Sequence, residues 1–242
     1  MSYDLTKFKH GLEELNITLT DEQIEPFLQY YEMLVEKNKV MNLTGITEYE
    51  EVIQKHFLDS LSLIRVIPDI ASQKLTVIDL GTGAGFPGIP LKIAFPELEI
   101  TLMDSLNKRI LFLQEVIDAL GLKKVSAVHG RAEEMASNAT HRQQYDLCVS
   151  RAVSNLAVLT EYCLPFVKKG GLFVSYKSAD SDAEIPEGKK AISILGGKLT
   201  SVDKFQLPDS DLRRALVCIK KVKDTPKKYP RKAGTPAKLP LK

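Results

Sequence analysis

Cysteine is scarce in this chain, with three in 242 residues at positions 148, 163 and 218. None stands in C-x-x-C spacing and each lies in an apolar run, which argues against a disulfide framework or a thiolate zinc site. Buried core thiols of a reducing compartment are expected instead. The four histidines, His10, His56, His129 and His141, show no ligand spacing, so no metal is expected. No apolar run reaches the roughly 18 residues of a membrane-spanning helix. The opening Met1-Ser2-Tyr3-Asp4 has neither a basic nor an apolar leader region, so a cytoplasmic location is expected. No internal repeat is visible.

Net charge is also small, at +2, but it is unevenly placed. From Lys220 to Lys242 nine lysines and arginines face one acid, Asp224, so this end carries +8 and the other 219 residues carry −6. Such asymmetry points to a polyanionic partner. Pro226, Pro230, Pro236 and Pro240 exclude a helix or a central strand there. Tyr229, Leu239 and Leu241 give the tail apolar groups with which to dock on the body.

What the chain does have is a glycine cluster after an apolar run. Leu75 to Leu80 reads as a strand, and Gly81, Gly83 and Gly85 follow at alternate positions. An apolar helical pattern with Ile89, Ile93 and Ala94 comes next. A strand, a tight turn and a helix start form a ligand cradle, with amide groups expected to face the ligand. Dinucleotide folds want G-x-G-x-x-G, but the third place of that pattern is Phe86. The sequence Asp79 to Gly85 is D-x-G-x-G-x-G, the pattern associated with S-adenosylmethionine (AdoMet) methyltransferases. A second acid, Asp104, ends the next strand, where a carboxylate accepts hydrogen bonds from ribose hydroxyls. NAD and AdoMet both carry that ribose. Asp104 and Ser105 also suit a helix N-cap.

Residues 1–65 read as helices: Leu5, Phe8 and Leu12, then Ile24 to Val35, then Val52 to Leu61 repeat at helical spacing. From Leu75 strands near 75–80, 99–104, 124–129, 144–150 and 171–176 alternate with helices near 86–95, 105–120, 131–137, 155–168 and 182–195. Lys198 to Phe205 and Leu212 to Val222 form an antiparallel hairpin around a short polar loop. The expected fold is α/β: a Rossmann-like AdoMet-dependent methyltransferase fold with a mostly parallel seven-stranded sheet. Its divisions are an N-terminal helical extension (1–65), an AdoMet-binding domain (66–223) and a basic, proline-rich tail (224–242). Ligands in open α/β sheets bind beyond the carboxyl ends of the strands. Gly81, Asp104, the stretch from Gly130 to Glu133, Arg151 and Lys177 occupy those ends.

The fourth strand end, Leu147 to Ala152, is also informative by what it lacks. It has no Asp- or Asn-Pro-Pro-aromatic turn to grip an exocyclic amine. Cys148 lies inside the strand and not beside a proline, as a pyrimidine-C5 nucleophile requires. Arg151 is suited to a carboxylate, a phosphate or the face of a base.

Taken together, several segments resemble the bacterial 16S ribosomal RNA guanine-N7 methyltransferase family, also called glucose-inhibited division protein B. They are Asn42-Leu43-Thr44, His56 to Leu61, Gly81 to Pro90, Ser150-Arg151-Ala152, Tyr176-Lys177, Tyr229-Pro230-Arg231, Gly234, Pro236 and Pro240-Leu241. The resemblance covers nearly the whole chain. Where the family often has glycine after the lysine, Ser178 stands here. The resemblance implies AdoMet contacts at Gly81, Phe86, Ala132, Glu133 and Arg151, to which the motif reading adds Gly83, Gly85, Asp104 and Ser105. Arg151, Lys177 and Asp59 are the expected catalytic residues, Asp59 as a carboxylate near the cationic product base. Lys227, Lys228, Arg231 and Lys232 are expected to meet RNA, and small-subunit ribosomal RNA or the subunit is the expected partner. A small-molecule methyltransferase, an NAD-dependent oxidoreductase and a non-catalytic ribosome assembly factor are the competing readings.

Overall fold

The structure is a computed structural model that describes residues 3–151 and 154–241. Ala152 of the Ser150-Arg151-Ala152 motif and Lys242 of the tail lie outside the described residues. Seven strands are present: β1 (Thr76–Leu80), β2 (Glu99–Asp104), β3 (Val125–His129), β4 (Tyr145–Arg151), β5 (Val167–Ser178), β6 (Gly197–Gln206) and β7 (Arg213–Lys221). They form one sheet in the order β3-β2-β1-β4-β5-β7-β6. The first five are parallel, and β7 runs antiparallel between β5 and β6. The short loop after Gln206 leaves the last two strands no other choice, because a parallel pair needs a crossover of a dozen or more residues. The α/β reading of the sequence is the observed fold.

Side chains alternate across the sheet. Val77, Leu147, Val149, Val174 and Leu216 enter one apolar core, and Ile78, Cys148, Phe173, Val217 and Ile219 enter the other. Helices α1 (Thr6–Glu14), α2 (Asp21–Met41), α5 (Gly88–Ala94) and α6 (Asn107–Ala119) cover the first face. Helices α8 (Leu156–Cys163) and α9 (Glu184–Ile194) cover the second. The expected N-terminal extension therefore shares the sheet's own core. Phe8, Phe27 and Phe57 pack ring against ring at centroid distances of 5.1–6.2 Å, and Tyr30 and Phe86 continue the cluster.

Four local departures from the sequence reading have physical causes. The third N-terminal helix is composite: α3 (Tyr49–Val52), a π-turn (Ile53–Leu58), α4 (Asp59–Leu61) and a 3₁₀ turn (Ser62–Arg65). The Asp59 N–H reaches back to the Gln54 carbonyl, one residue beyond the α-helical partner. The helix expected over 155–168 ends at Cys163, because Pro165 lacks the N–H that would continue it. Strand β5 then begins at Val167 rather than at 171, with a bulge against Tyr145 and Leu147. The tail does contain a helical turn, α10 (Thr235–Lys238), contrary to expectation. Its proline sits in the first turn, where the missing N–H is harmless. No helix among the described residues is long and apolar enough to cross a membrane.

Candidate functional site

Two cavities open at the carboxyl ends of the parallel strands, and Arg151 lines both. The first, of about 370 Å³, is built strand end by strand end. The β1 end supplies Gly81, β2 supplies Asp104 and Ser105, the loop after β3 supplies Gly130 to Glu133, and β4 supplies Arg151. Asp104 is buried at 3% exposure and well engaged. Its Oδ2 accepts from the Gly83 N–H (3.0 Å) and from Arg109 Nη1 (3.2 Å), and its Oδ1 accepts from the Leu106 N–H (2.9 Å). It thus ties the glycine turn to the start of α6. With about four acceptor positions, the carboxylate keeps room for a ligand hydroxyl.

The glycine turn holds most of its amides for itself. The N–H groups of Gly81 and Thr82 donate to the Met103 carbonyl, and that of Gly83 goes to Asp104. Those of Gly85 and Phe86 donate to the Thr82 carbonyl, and that of Gly88 goes to Asp79 Oδ2 (2.8 Å). Six amides of the turn are therefore held within the protein, which leaves few of those the sequence reading expected to face a ligand. Asp79 is the turn's internal post. It also accepts from Thr82 Oγ1 (2.6 Å), while its Oδ1 is buried without a partner. Burial pushes its carboxyl up to about 6, against the hydrogen bonds from Thr82 and Gly88.

Of the expected cofactor residues, Gly81, Asp104, Ser105, Ala132, Glu133 and Arg151 line the first cavity. Gly83, Gly85 and Phe86 do not. Gly83 serves Asp104. Gly85, at φ +111°, is where Tyr30 and Ile89 close in: a Cβ there would stand 2.7 Å from each. Phe86 packs against both the His56 ring (4.4 Å between centroids) and the Arg151 guanidinium (5.1 Å), which lie 3.2 Å apart from Nδ1 to Nη2, and it supports the arginine by a cation–π contact. Arg109 and Tyr162 line the cavity and were missed. Arg109 could have been found from its place in the first turn after Asp104. Tyr162 sits in an apolar helix with no distinguishing pattern.

The second cavity, of about 350 Å³, lies between the π-turn and the ends of β4, β5 and β7. All three expected catalytic residues, Arg151, Lys177 and Asp59, line it, together with His56, Tyr176 and Arg214. Arg151 Nη1 donates to Asp59 Oδ2 (2.8 Å) and to the Lys55 carbonyl (3.1 Å) on the π-turn. Arg214 Nε donates to Asp59 Oδ1 (3.2 Å), so two guanidiniums hold one carboxylate. Tyr176 Oη donates to the Ser60 carbonyl (2.8 Å), fixing the composite helix to β5. Burial, and next the Arg151 charge, push His56 down to about 3, so its imidazole is neutral. Lys177 donates to the Ser154 carbonyl (2.6 Å) and to Glu184 Oε2 (2.7 Å). His56 opens a segment that carried the family resemblance but was given no role, and Arg214 had no local pattern that marked it.

The tail docks. Arg142 donates to the carbonyls of Thr225, Pro226 and Tyr229, and the Tyr229 ring is buried. Of the residues expected to meet RNA, Lys227, Lys228 and Lys232 are exposed. Arg231 instead clamps Glu161 through Nε (2.9 Å) and Nη2 (2.6 Å). Away from both cavities His10, Glu14 and Asp209 form an exposed group with ligand atoms within 4.8 Å of one another, a juxtaposition the sequence hides.

The family model described as rRNA small subunit methyltransferase G matches residues 23–217. Ribosomal RNA small subunit methyltransferase G of Lachnoclostridium phytofermentans is 57% identical over 238 residues, covering 98% of each chain. That of Alkaliphilus metalliredigens is 53% identical over 234 residues, 97% of each chain. Among solved structures, the precorrin-6y C5,15-methyltransferase of Geobacter metallireducens superposes with a TM-score of 0.50 at 13% identity, over 66% of this chain and 87% of that one. The M. jannaschii TYW2 complex with AdoMet gives 0.51 at 14% identity, over 68% and 77%. These two share the fold.

Proposed function

Since the chain belongs to the rRNA small subunit methyltransferase G family, we propose that it transfers the methyl group of AdoMet to N7 of a guanine in 16S ribosomal RNA, with the first cavity for the donor and the second for the base. The observation that carries this reading is the shared wall. One residue, Arg151, lines both cavities, so a ligand in each would meet across it.

The residues of the first cavity fit AdoMet. The turn keeps most of its amides for internal hydrogen bonds, which suits a cationic nucleoside better than the pyrophosphate of the dinucleotide alternative. Asp104 has acceptor capacity left for a ribose hydroxyl. Ala132 and Glu133 stand where an adenine edge is read, and Arg151 can pair with the donor's carboxylate. Bound AdoMet supplies a methyl group already activated on a sulfonium.

On the acceptor side, guanine N7 has a free lone pair and no proton, so no side chain need act as a base. The neutral His56 and the doubly held Asp59 agree with that. What the chain must supply is alignment, which lowers the barrier by fixing two reactants in one frame. Asp59, between Arg151 and Arg214, offsets their charge beside a base that becomes cationic on methylation. Lys177, tied to Glu184, is a positioning residue for the β5 end. The base is to be unstacked from its RNA before it can enter.

Labelled methyl transfer to small-subunit RNA, followed by mapping through cleavage at 7-methylguanine, tests the reading. A label resistant to that cleavage overturns the atom. Arg151→Ala should lose transfer while the fold, read by circular dichroism, is kept. A fully active variant removes Arg151 from the site.

A further inference from the structure

The tail and the first cavity share two residues or near neighbours. Glu133, whose side chain lines the cavity, accepts through Oε1 from the N–H of Gly234 (2.9 Å). Glu161, buried at 1% side-chain exposure, accepts from the Arg231 N–H (2.9 Å) and from both arms of its guanidinium. The residue after Glu161 is Tyr162, another wall of the cavity. Between and beside these two posts the same segment exposes Lys227, Lys228 and Lys232, none of which makes an ion pair among the described residues. Gly234 itself sits at φ +78°, a conformation that presents its N–H to Glu133 without the strain a side chain would bring there.

We propose that residues 229–234 are a strap that sets the donor-side wall, so that RNA held by the tail's lysines tightens AdoMet binding. This rests on the assignment of the first cavity to AdoMet. A docked strap fixes the Glu133 carboxylate and the Tyr162 helix in place before the donor arrives. An undocked strap leaves Glu133 without its backbone donor and Glu161 a buried charge without its partner. The docked strap holds Lys232 between the Arg231 and Gly234 anchors, with Lys227 and Lys228 just before them, so RNA that bridges these lysines favours the docked form, as the donor does. Two ligands that bias the same equilibrium in the same direction are positively coupled, and reciprocally so. Arg231 acts as a positioning residue here, because its backbone N–H and its guanidinium are spent on Glu161.

The test is calorimetric titration of full-length protein with S-adenosylhomocysteine, alone and with a small-subunit RNA fragment present. Wild type should bind the nucleoside several-fold more tightly with RNA. The triple variant Lys227→Ala, Lys228→Ala, Lys232→Ala should match wild type without RNA and lose the RNA-induced gain. Arg231→Lys, which keeps charge but not the fork, should bind the nucleoside about fivefold more weakly without RNA and show a reduced gain. Arg231→Ala should be weaker still where it folds. If Arg231→Lys and the triple variant both keep wild-type affinity and the full RNA-induced gain, the strap is overturned. If wild type does not bind S-adenosylhomocysteine at all, the assignment of the cavity fails instead.

Discussion

At the scale of single residues, two buried titratable groups behind the site pull in opposite directions. His56 is held near 3 against an ordinary value of 6.5, so only the unfolded chain takes up its proton. The stability it contributes is complete above about 6.5 and is lost as pH falls toward 3. Asp79 is raised from 3.8 to about 6, so the folded chain keeps a proton that the unfolded chain releases. Its contribution is present below 3.8 and is lost as pH rises through 6. Between about 4 and 6 the two slopes, each about 1.4 kcal/mol per pH unit at most, cancel. Denaturant unfolding across that window is expected to separate them. Asp79→Asn should become less stable than wild type on acidification, in the His56 direction, and His56→Asn should show the reverse slope. Parallel slopes in all three proteins would refute both assignments. Asp104 offers a second residue-scale prediction. Asp104→Ala should raise the AdoMet dissociation constant about tenfold or more, on a lost charged hydrogen bond of roughly 1.5–3 kcal/mol. Isothermal titration measures it, and an unchanged constant would take Asp104 out of the site.

The element that matters most to the acceptor side is the composite helix Tyr49–Arg65. A regular α-helix would send the Asp59 N–H to the Lys55 carbonyl. The π-turn sends it to Gln54, and the Lys55 carbonyl accepts from Arg151. Widened turns of this kind recur at functional positions. Removing the buried Asp59 leaves two half-buried guanidiniums without their shared partner, which costs up to about 3 kcal/mol. Asp59→Ala should therefore melt well below wild type, and Asp59→Ala combined with Arg214→Leu should recover part of the loss. A double variant no more stable than the single would mean that Arg214 is not part of the pair. Gly85→Ala belongs to the same scale: it drives a methyl group against Tyr30 and should loosen α2 from the turn, seen as faster amide exchange in α2.

At the scale of the molecule, the N-terminal helices and the sheet form one core. A fragment that starts at residue 66 would lose Phe8, Phe27, Tyr30 and Phe57 and bare an apolar sheet face. It should aggregate on expression, and a monomeric, AdoMet-binding fragment would contradict the shared core. RNA binding should weaken with salt, and removing Lys227, Lys228 and Lys232 should reduce the logarithmic salt slope by about 2. An unchanged slope would place the phosphate contacts elsewhere.

How much of this was legible in the sequence follows from distance along the chain. Strands, crossovers and the carboxyl-end residues Gly81, Asp104 and Arg151 are local patterns, and they stand where the spacing put them. Asp59 and Arg214 meet across 155 residues, and Arg231 and Glu161 across 70, with nothing local to announce either pair. The tail's apolar residues predicted docking on the body, but nothing local showed where it seats. Its docking depends on Arg142 and Glu161, whose roles appear only once α8 is in place.

The glycine turn that spends its own amides has a bearing on inhibitors. A compound that borrows a diphosphate for affinity gains little from the turn itself and has to rely on the arginines of the first cavity, Arg109, Arg131 and Arg151. Selective ligands should be sought among uncharged or cationic purine nucleosides that reach from Asp104 to Arg151.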